Sequence, residues 1–406
     1  MKKLFLACSI LFAPLAAQEQ DASFEGYLSE LKERQFALEQ RNIDAQASTL
    51  RDSWIQPIRL QYTHTESDPY GNEQTTKNAA ITIDQPIFKS GGIYYAIKYA
   101  DATHQNASEN LAMQRRALIK QAVSLLMQYK QSALMIEKQN LLIANAKINL
   151  EQKREQYMNG QIDSGFLNTA MIESNRAQQA LYDLQTGQAR LKTQFTNLSD
   201  LDPDTARTPH LKLLDETDFI AYNIEIKQRA SETEMNRYNK DVTFAKYLPQ
   251  FNIVAGYNRD QSEGVTMGGV FNVPDSKEEY YNYGFKATMA LDINSISDNE
   301  SARVTYLKSQ VLLDDKKREL RALYQQVSDN LQNSDRKIEL ARSNQRLYGE
   351  LLSETQELYK AGYKTEFDVR NLENSVAIQR LDTKIFEYDK QLELLNLYEK
   401  VTNEIQ

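Results

Sequence analysis

The chain has 406 residues, with 14 glycines, 8 prolines, a single cysteine and a formal net charge of −8. One cysteine excludes a disulfide framework and a cysteine-built metal site, and an acidic balance with scattered basic residues disfavours nucleic acid as a partner. Proline is absent between Pro86 and Pro203 and again after Pro274, and those stretches are rich in residues that lose little on entering a helix, so very long helices are expected rather than a compact globule.

The N-terminus reads as a cleavable leader over residues 1–17. Lys2 and Lys3 supply a positive start, Leu4 to Leu15 an apolar stretch, and Ala16-Ala17 small residues for cleavage before Gln18. Cys8 lies inside the apolar stretch, too early for a lipoprotein cleavage site, so the exported chain carries no thiol and removal of the two lysines makes it more acidic still. No later run approaches the roughly 20 apolar residues that a membrane-crossing helix needs, so any membrane residence must be by strands.

Two segments then alternate in polarity. Ile58, Leu60 and Tyr62 oppose Arg59, Gln61 and Thr63, and Ala79, Ile81 and Ile83 oppose Ala80, Thr82 and Asp84, with turn residues Asp68-Pro69-Tyr70-Gly71 between them. This period of two predicts paired half-apolar strands. Residues 93–157 predict one nearly unbroken helix, on the order of 100 Å long at 1.5 Å per residue, with Leu111, Leu118 and Leu125 repeating at seven. A shorter helix follows, in which Ala177, Leu181, Leu184, Leu191, Phe195 and Leu198 form a 4/3 stripe suited to side-by-side packing.

The same pattern then recurs. Phe251, Ile253, Ala255 and Tyr257 alternate with Asn252, Val254, Gly256 and Asn258, and Tyr281 to Leu291 alternate with Asn282 to Asp292, joined through Gly268-Gly269 and Pro274-Asp275. Residues 296–360 predict a second long helix, with Leu320 and Val327, then Leu331 and Ile338, seven apart. Leu381, Ile385, Tyr388, Leu392 and Leu395 stripe the last helix. Tyr157-Met-Asn-Gly160-Gln-Ile-Asp163 matches Tyr359-Lys-Ala-Gly362-Tyr-Lys-Thr365, and Ile83-Asp84 matches Leu291-Asp292. The chain therefore reads as an internal duplication, with repeats at 18–210 and 211–406, each of helix, two strands, helix, turn, helix.

Apolar-out, polar-in strands of this length suit a transmembrane barrel, with Tyr62, Tyr70, Tyr257, Tyr280 and Tyr281 expected near strand ends as interfacial aromatics. Four strands cannot close a barrel, and open edges in lipid leave backbone groups unpaired, so several copies must share one. A ring with cyclic symmetry is the natural solution. The expected fold class is mainly α with a small β part, a β-barrel shared between protomers and, as the resemblance that follows implies, a long α-helical coiled-coil barrel continuing it.

This layout resembles the TolC family of outer-membrane efflux proteins. The residues that carry the resemblance are Asp84-Gln85-Pro86-Ile87-Phe88-Lys89-Ser90-Gly91-Gly92 at the strand-to-helix turn, Tyr247-Leu248-Pro249 before the third strand, and Tyr359-Lys-Ala-Gly362. The second copy of the turn, Asp292-Ile-Asn-Ser-Ile296, lacks the Pro and the Gly pair. The resemblance implies a homotrimer in the outer membrane with its helices in the periplasm, working with a periplasmic adaptor protein and an inner-membrane transporter, without a cofactor. It also implies a gate at the helix tips. Lys364 and Asp368 fall at positions similar to the family's constriction Arg and first ring aspartate, and Asn371 stands where the family has a second aspartate.

The residues themselves offer another reading of that tip, because Thr365-Glu-Phe-Asp368 is a capping box that starts a helix. In the first tip Asp163 can cap in the same way, and Phe166 occupies the place of an acidic residue. His64, His104 and His210 are far apart, with no Ser, Cys or carboxylate motif around them, so neither an enzyme site nor a metal site is expected. The competing readings are a coiled-coil periplasmic adaptor and a non-conducting outer-membrane structural protein.

Overall fold

A computed structural model describes residues 26–68, 74–263, 266–267, 271–272 and 274–402. The leader expected at 1–17, with Cys8, lies outside these residues, as do Pro69, Tyr70 and Gly71 and the Gly268-Gly269 pair. The elements run α1 (Glu30–Arg51), β1 (Arg59–Ser67), β2 (Gln74–Phe88), α2 (Gly92–Met158), α3 (Ser164–Thr196), α4 (Glu216–Ala221), α5 (Ile224–Lys246), β3 (Gln250–Ser262), β4 (Thr266–Met267), β5 (Phe271–Asn272), β6 (Ser276–Thr288), α6 (Ser295–Lys360) and α7 (Glu366–Tyr398). Both long helices therefore form over the stretches expected, at 67 and 66 residues. No helix among the described residues is long and apolar enough to cross a membrane.

Packing divides each long helix in two. Near the sheet α2 lies against α1 and α5, and α6 against α5; toward the far end α2 lies against α3 and α7, and α6 against α7. Short elements meet end to end at mid-height. The Ser29 amide donates to the Leu198 carbonyl at 2.8 Å, joining the end of α3 to the start of α1, and the Ile224 amide donates to the Lys400 carbonyl at 2.8 Å, joining α7 to α5. Asn223, fully buried, turns its Oδ1 onto the Glu225 and Ile226 amides and so satisfies the first turn of α5.

The main core gathers at this level. Phe195, Phe219, Leu126, Met127, Leu211, Leu394, Leu395 and Leu397 are all but sealed from solvent, packed with Leu320, Val327 and Leu331. Each such side chain contributes about 1.5–3 kcal/mol of apolar burial. The stripes read from the sequence are the ones that pack: Leu181, Leu320, Val327, Leu331, Ile338, Leu381, Ile385 and Leu395 are all buried.

The four long strands form one antiparallel sheet in the order β1-β2-β3-β6. Register places Leu60, Ile81, Tyr257 and Tyr281 in one cross-strand row, and Ile83, Ala255 and Tyr283 in the next. The apolar positions of all four strands therefore share a face. The ladders extend past the alternating stretches into residues 64–67, 74–78, 259–262 and 276–280.

Two expectations are corrected. The fourth strand, read through Leu291 and Asp292, stops at Thr288, because Thr288 pairs with the first residue of β3, Gln250, and Pro249 before it has no amide to continue the ladder. Tyr62, Tyr257, Tyr280 and Tyr281 lie within their strands rather than at the ends, and Tyr280 belongs to the polar face opposite Asn258. Beyond Tyr257 and Tyr281 the apolar face turns charged with Arg259 and Glu279, so these two rings mark the edge of the apolar band.

Candidate functional site

Two places in the fold collect polar groups: the hairpin tips and the polar face of the sheet. At the second tip α6 ends at Ala361, Gly362 takes a left-handed φ of 83° that a side chain would strain, and Thr365 caps α7. The capping box forms as the spacing implied. The Thr365 amide and hydroxyl donate to Asp368 Oδ2 at 2.9 and 2.8 Å, and the Asp368 amide donates to Thr365 Oγ1 at 3.3 Å. The Thr365 amide, then its hydroxyl, hold the Asp368 carboxyl below its ordinary range, with the charge of Lys364 adding to the effect.

Lys364 is exposed, whereas Asp368 and Asn371 are half-buried. Asn371 Oδ1 is buried with no hydrogen-bond partner among the described residues. One turn further on, Asn374 Nδ2 donates to Asn145 Oδ1 of α2 at 2.7 Å. Asn371 lies three residues from both Asp368 and Asn374 and so neighbours each on α7, with Asn374 on the side that meets α2.

The first tip is built more simply. Gly160 takes a φ of 68°, and Asp163 caps α3 by accepting from the Gly165 amide at 2.6 Å, without the reciprocal half of a capping box. Phe166 stands exposed on the first turn of α3. Both tips face away from the sheet, since α2 and α6 each start at a strand end and finish at a tip.

At the sheet end the two strand-to-helix turns differ. Ser90 and Gly91 adopt positive φ of 48° and 86°, and Ser90 Oγ donates to the Pro249 carbonyl at 2.7 Å. The second turn does without glycine: Asp292 Oδ1 accepts from the Asn294 amide at 2.8 Å and its carbonyl from Ser295, starting α6 at Ser295. Nearby, the Tyr247 hydroxyl bonds the Asp298 carboxylate, which pushes the Tyr247 phenol up.

The polar face of the sheet lines a hollow formed by Arg59, Thr82, Asp84, Asn252, Asn258 and Asn282, among others. Asp84 accepts from Asn252 Nδ2 at 2.5 Å and pairs with Lys286. This cluster was missed in the sequence, because Arg59, Asp84, Asn252 and Lys286 come from four strands and meet only through register. His104 pairs with Asp44 at 2.8 Å and ties α2 to α1. Among the described residues no three His, Cys, Asp or Glu gather as a metal site.

Residues 218–401 match the sequence model of the family described as Outer membrane efflux protein. None of the curated proteins matches the chain. Among solved structures, the chain is similar in fold to the outer membrane protein VceC of Vibrio cholerae, with a TM-score of 0.68 at 15% identity, covering 90% of this chain and 92% of that one. It is also similar to the CmeC outer membrane channel of Campylobacter jejuni, with a TM-score of 0.70 at 10% identity over 92% of this chain and 83% of that one. A membrane protein from Pseudomonas aeruginosa gives a TM-score of 0.70 at 12% identity, over 97% of this chain and 98% of that one. The sequence signature thus lies in the second half, and the likeness in fold extends over both halves.

Proposed function

We propose that this protein is an efflux channel of which three copies form one conduit across the outer membrane, a reading supported by the outer membrane efflux protein signature over residues 218–401 and by the likeness in fold to VceC and CmeC over nearly the whole chain. In this reading each copy gives its four strands to a twelve-stranded barrel, the helices enclose a tunnel in the periplasm, and an adaptor protein and an inner-membrane transporter dock at the tips. The repeats at 18–210 and 211–406 supply two hairpins per copy, six around the ring.

The observation that carries the reading is the open sheet. Its edges β1 and β6 have no partner in the described chain, its apolar face is turned outward to nothing, and its polar face lines a hollow. Unpaired edges in lipid cost several kcal/mol per backbone group, and pairing β6 of one copy with β1 of the next removes them. The helices support the same closure. Ile296, Val304, Leu307 and Val311 form an exposed apolar stripe on α6 at one side of the bundle, and Leu31 and Leu38 of α1 are exposed at the other. A soluble adaptor would have no use for an exposed face carrying Leu60, Tyr281, Tyr283 and Phe285.

At the tips, Lys364, Asp368 and Asn371 form the pore constriction in this reading, with Asp163 and Phe166 at the neighbouring tip. Asp368 serves both as cap and as ring charge, because its second oxygen is not used by the cap. A ring of carboxylates at a narrow point concentrates cations, and basic partners hold it shut. Single-channel current from purified protein in a planar bilayer tests the proposal. Discrete cation-preferring steps are expected, larger at rest in Lys364→Ala/Asp368→Ala. Silence from inserted, oligomeric protein of both forms would overturn it.

A further inference from the structure

On the polar face of the sheet, charge is sorted by height. The row Thr63, Asn78, Asp260 and Glu278, toward the loop end, carries two carboxylates, with Asn78 bonded to Asp260. The next two rows inward, Gln61, Ala80, Asn258 and Tyr280, then Arg59, Thr82, Gly256 and Asn282, carry one charge, that of Arg59. Below them come Asp84, opposite Val254, and Lys286, opposite Asn252. The inner end therefore holds two cations against one carboxylate, and that carboxylate is committed to Lys286 and Asn252. From the Asp260 row to the Arg59 row, at Gly256, is four residues along β3, about 14 Å at 3.4 Å each. This exceeds the Debye length of about 8 Å at physiological salt, so the two ends act on a passing ion separately.

The hollow at the inner end is lined by Arg59, Asp84, Asn252 and Asn282, with Lys89 of the following turn at its border. Arg59 offers a fork of donors suited to a carboxylate or phosphate, and the asparagine amides add uncharged donors. We infer that Arg59 and Lys286, braced by Asp84, form an anion-binding belt where the strands meet the helices, which takes the carboxylate, phosphate or sulfonate groups of cargo. The belt rests on the conduit reading for its ring form, since repetition in each copy would surround the path. Placed between an acidic constriction at the tips and the acidic row at the outer end, it gives anionic groups a resting place midway. Asp84, which lines the hollow, is a positioning residue: its pair with Lys286 ties that charge to the hollow's edge.

Inorganic pyrophosphate is the probe. Two readouts are taken together: block of single-channel current, and equilibrium binding to detergent-solubilised protein, which needs no conduction. The variant Arg59→Gln/Asp84→Asn/Lys286→Gln removes the belt's charge while keeping amide-sized side chains. Its block and binding are expected to weaken about tenfold, with a fall in chloride relative to potassium permeability, as removal of close unlike charges implies. Arg59→Gln alone, which spares the Asp84–Lys286 pair, should lose about threefold. Asp260→Asn/Glu278→Gln should leave block unchanged or stronger. Equal pyrophosphate binding by wild type and both belt variants would overturn the belt. Belt-dependent binding in protein that never conducts would leave the belt standing and overturn the conduit.

Discussion

The helix α6 carries two apolar stripes of similar composition and opposite fate. Leu320, Val327, Leu331, Ile338 and Ala341 are buried, whereas Ile296, Val304, Leu307 and Val311, then Leu340, Leu347 and Leu351, are exposed on the same helix. Spacing and residue type do not separate the two sets. The buried stripe finds α5 and α7 within its own chain, and the exposed one is left uncovered by the described elements. A helix patterned for neighbours on two sides, with one supplied, is what the proposed completion by further copies requires.

The widest contrast should appear on cutting the core into which the buried stripe packs. Phe195→Ala, removing the sealed ring against which the mid-height core packs, is expected to cost about 3–5 kcal/mol, read as a lower midpoint in chemical denaturation. Val311→Asp in the exposed stripe should instead change the isolated chain's stability by about 0.5 kcal/mol or less while reducing the oligomer mass in light scattering. If the denaturation midpoint falls as far as for Phe195→Ala, the exposed stripe is packed within the chain and the contrast fails.

Smaller effects separate the two tips. Thr365→Ala removes the cap of α7 and should cost about 1 kcal/mol, seen as faster amide exchange in the first turn of α7 with α3 unaffected. Equal acceleration in both helices would mean that the tips are coupled. The Asp368 carboxyl, held low by the Thr365 amide and hydroxyl, gives stability that is full above the unfolded value near pH 3.9 and is lost as pH falls through the lower folded value. Amide exchange at α7's first turn should therefore accelerate below about pH 4 in wild type, and the acid-dependent part should vanish in Asp368→Asn.

Much of the fold was legible because long helices repeat their signal many times. The span 93–157 falls within one residue at each end of α2, and 296–360 within one residue of α6. Strand ends were less legible for a physical reason. Alternation reports which side chains face lipid or core, whereas a ladder needs only a partner backbone, so β1 and β2 pair on through Thr65 with Thr76 after apolar alternation has stopped. The reverse holds at Met289 and Leu291, which alternate without a strand to pair with. At the tips the cap could be read from Thr365 and Asp368, because capping is local in sequence. The belt of Arg59, Asp84 and Lys286 could not, since the register that joins them is a property of the folded sheet.

The most direct test of completion by copies is cysteine crosslinking of the two sheet edges in the mature chain. Within one chain β1 and β6 are separated by two strands, about 14 Å at 4.8 Å per step, too far for a disulfide. Tyr62→Cys is combined in turn with Glu279→Cys, Tyr281→Cys and Tyr283→Cys, and the protein is oxidised in membranes. A ladder of crosslinked products that stops at three chains is expected from at least one pair. Monomer alone from every pair, or a ladder that continues without end, would contradict a closed ring of three.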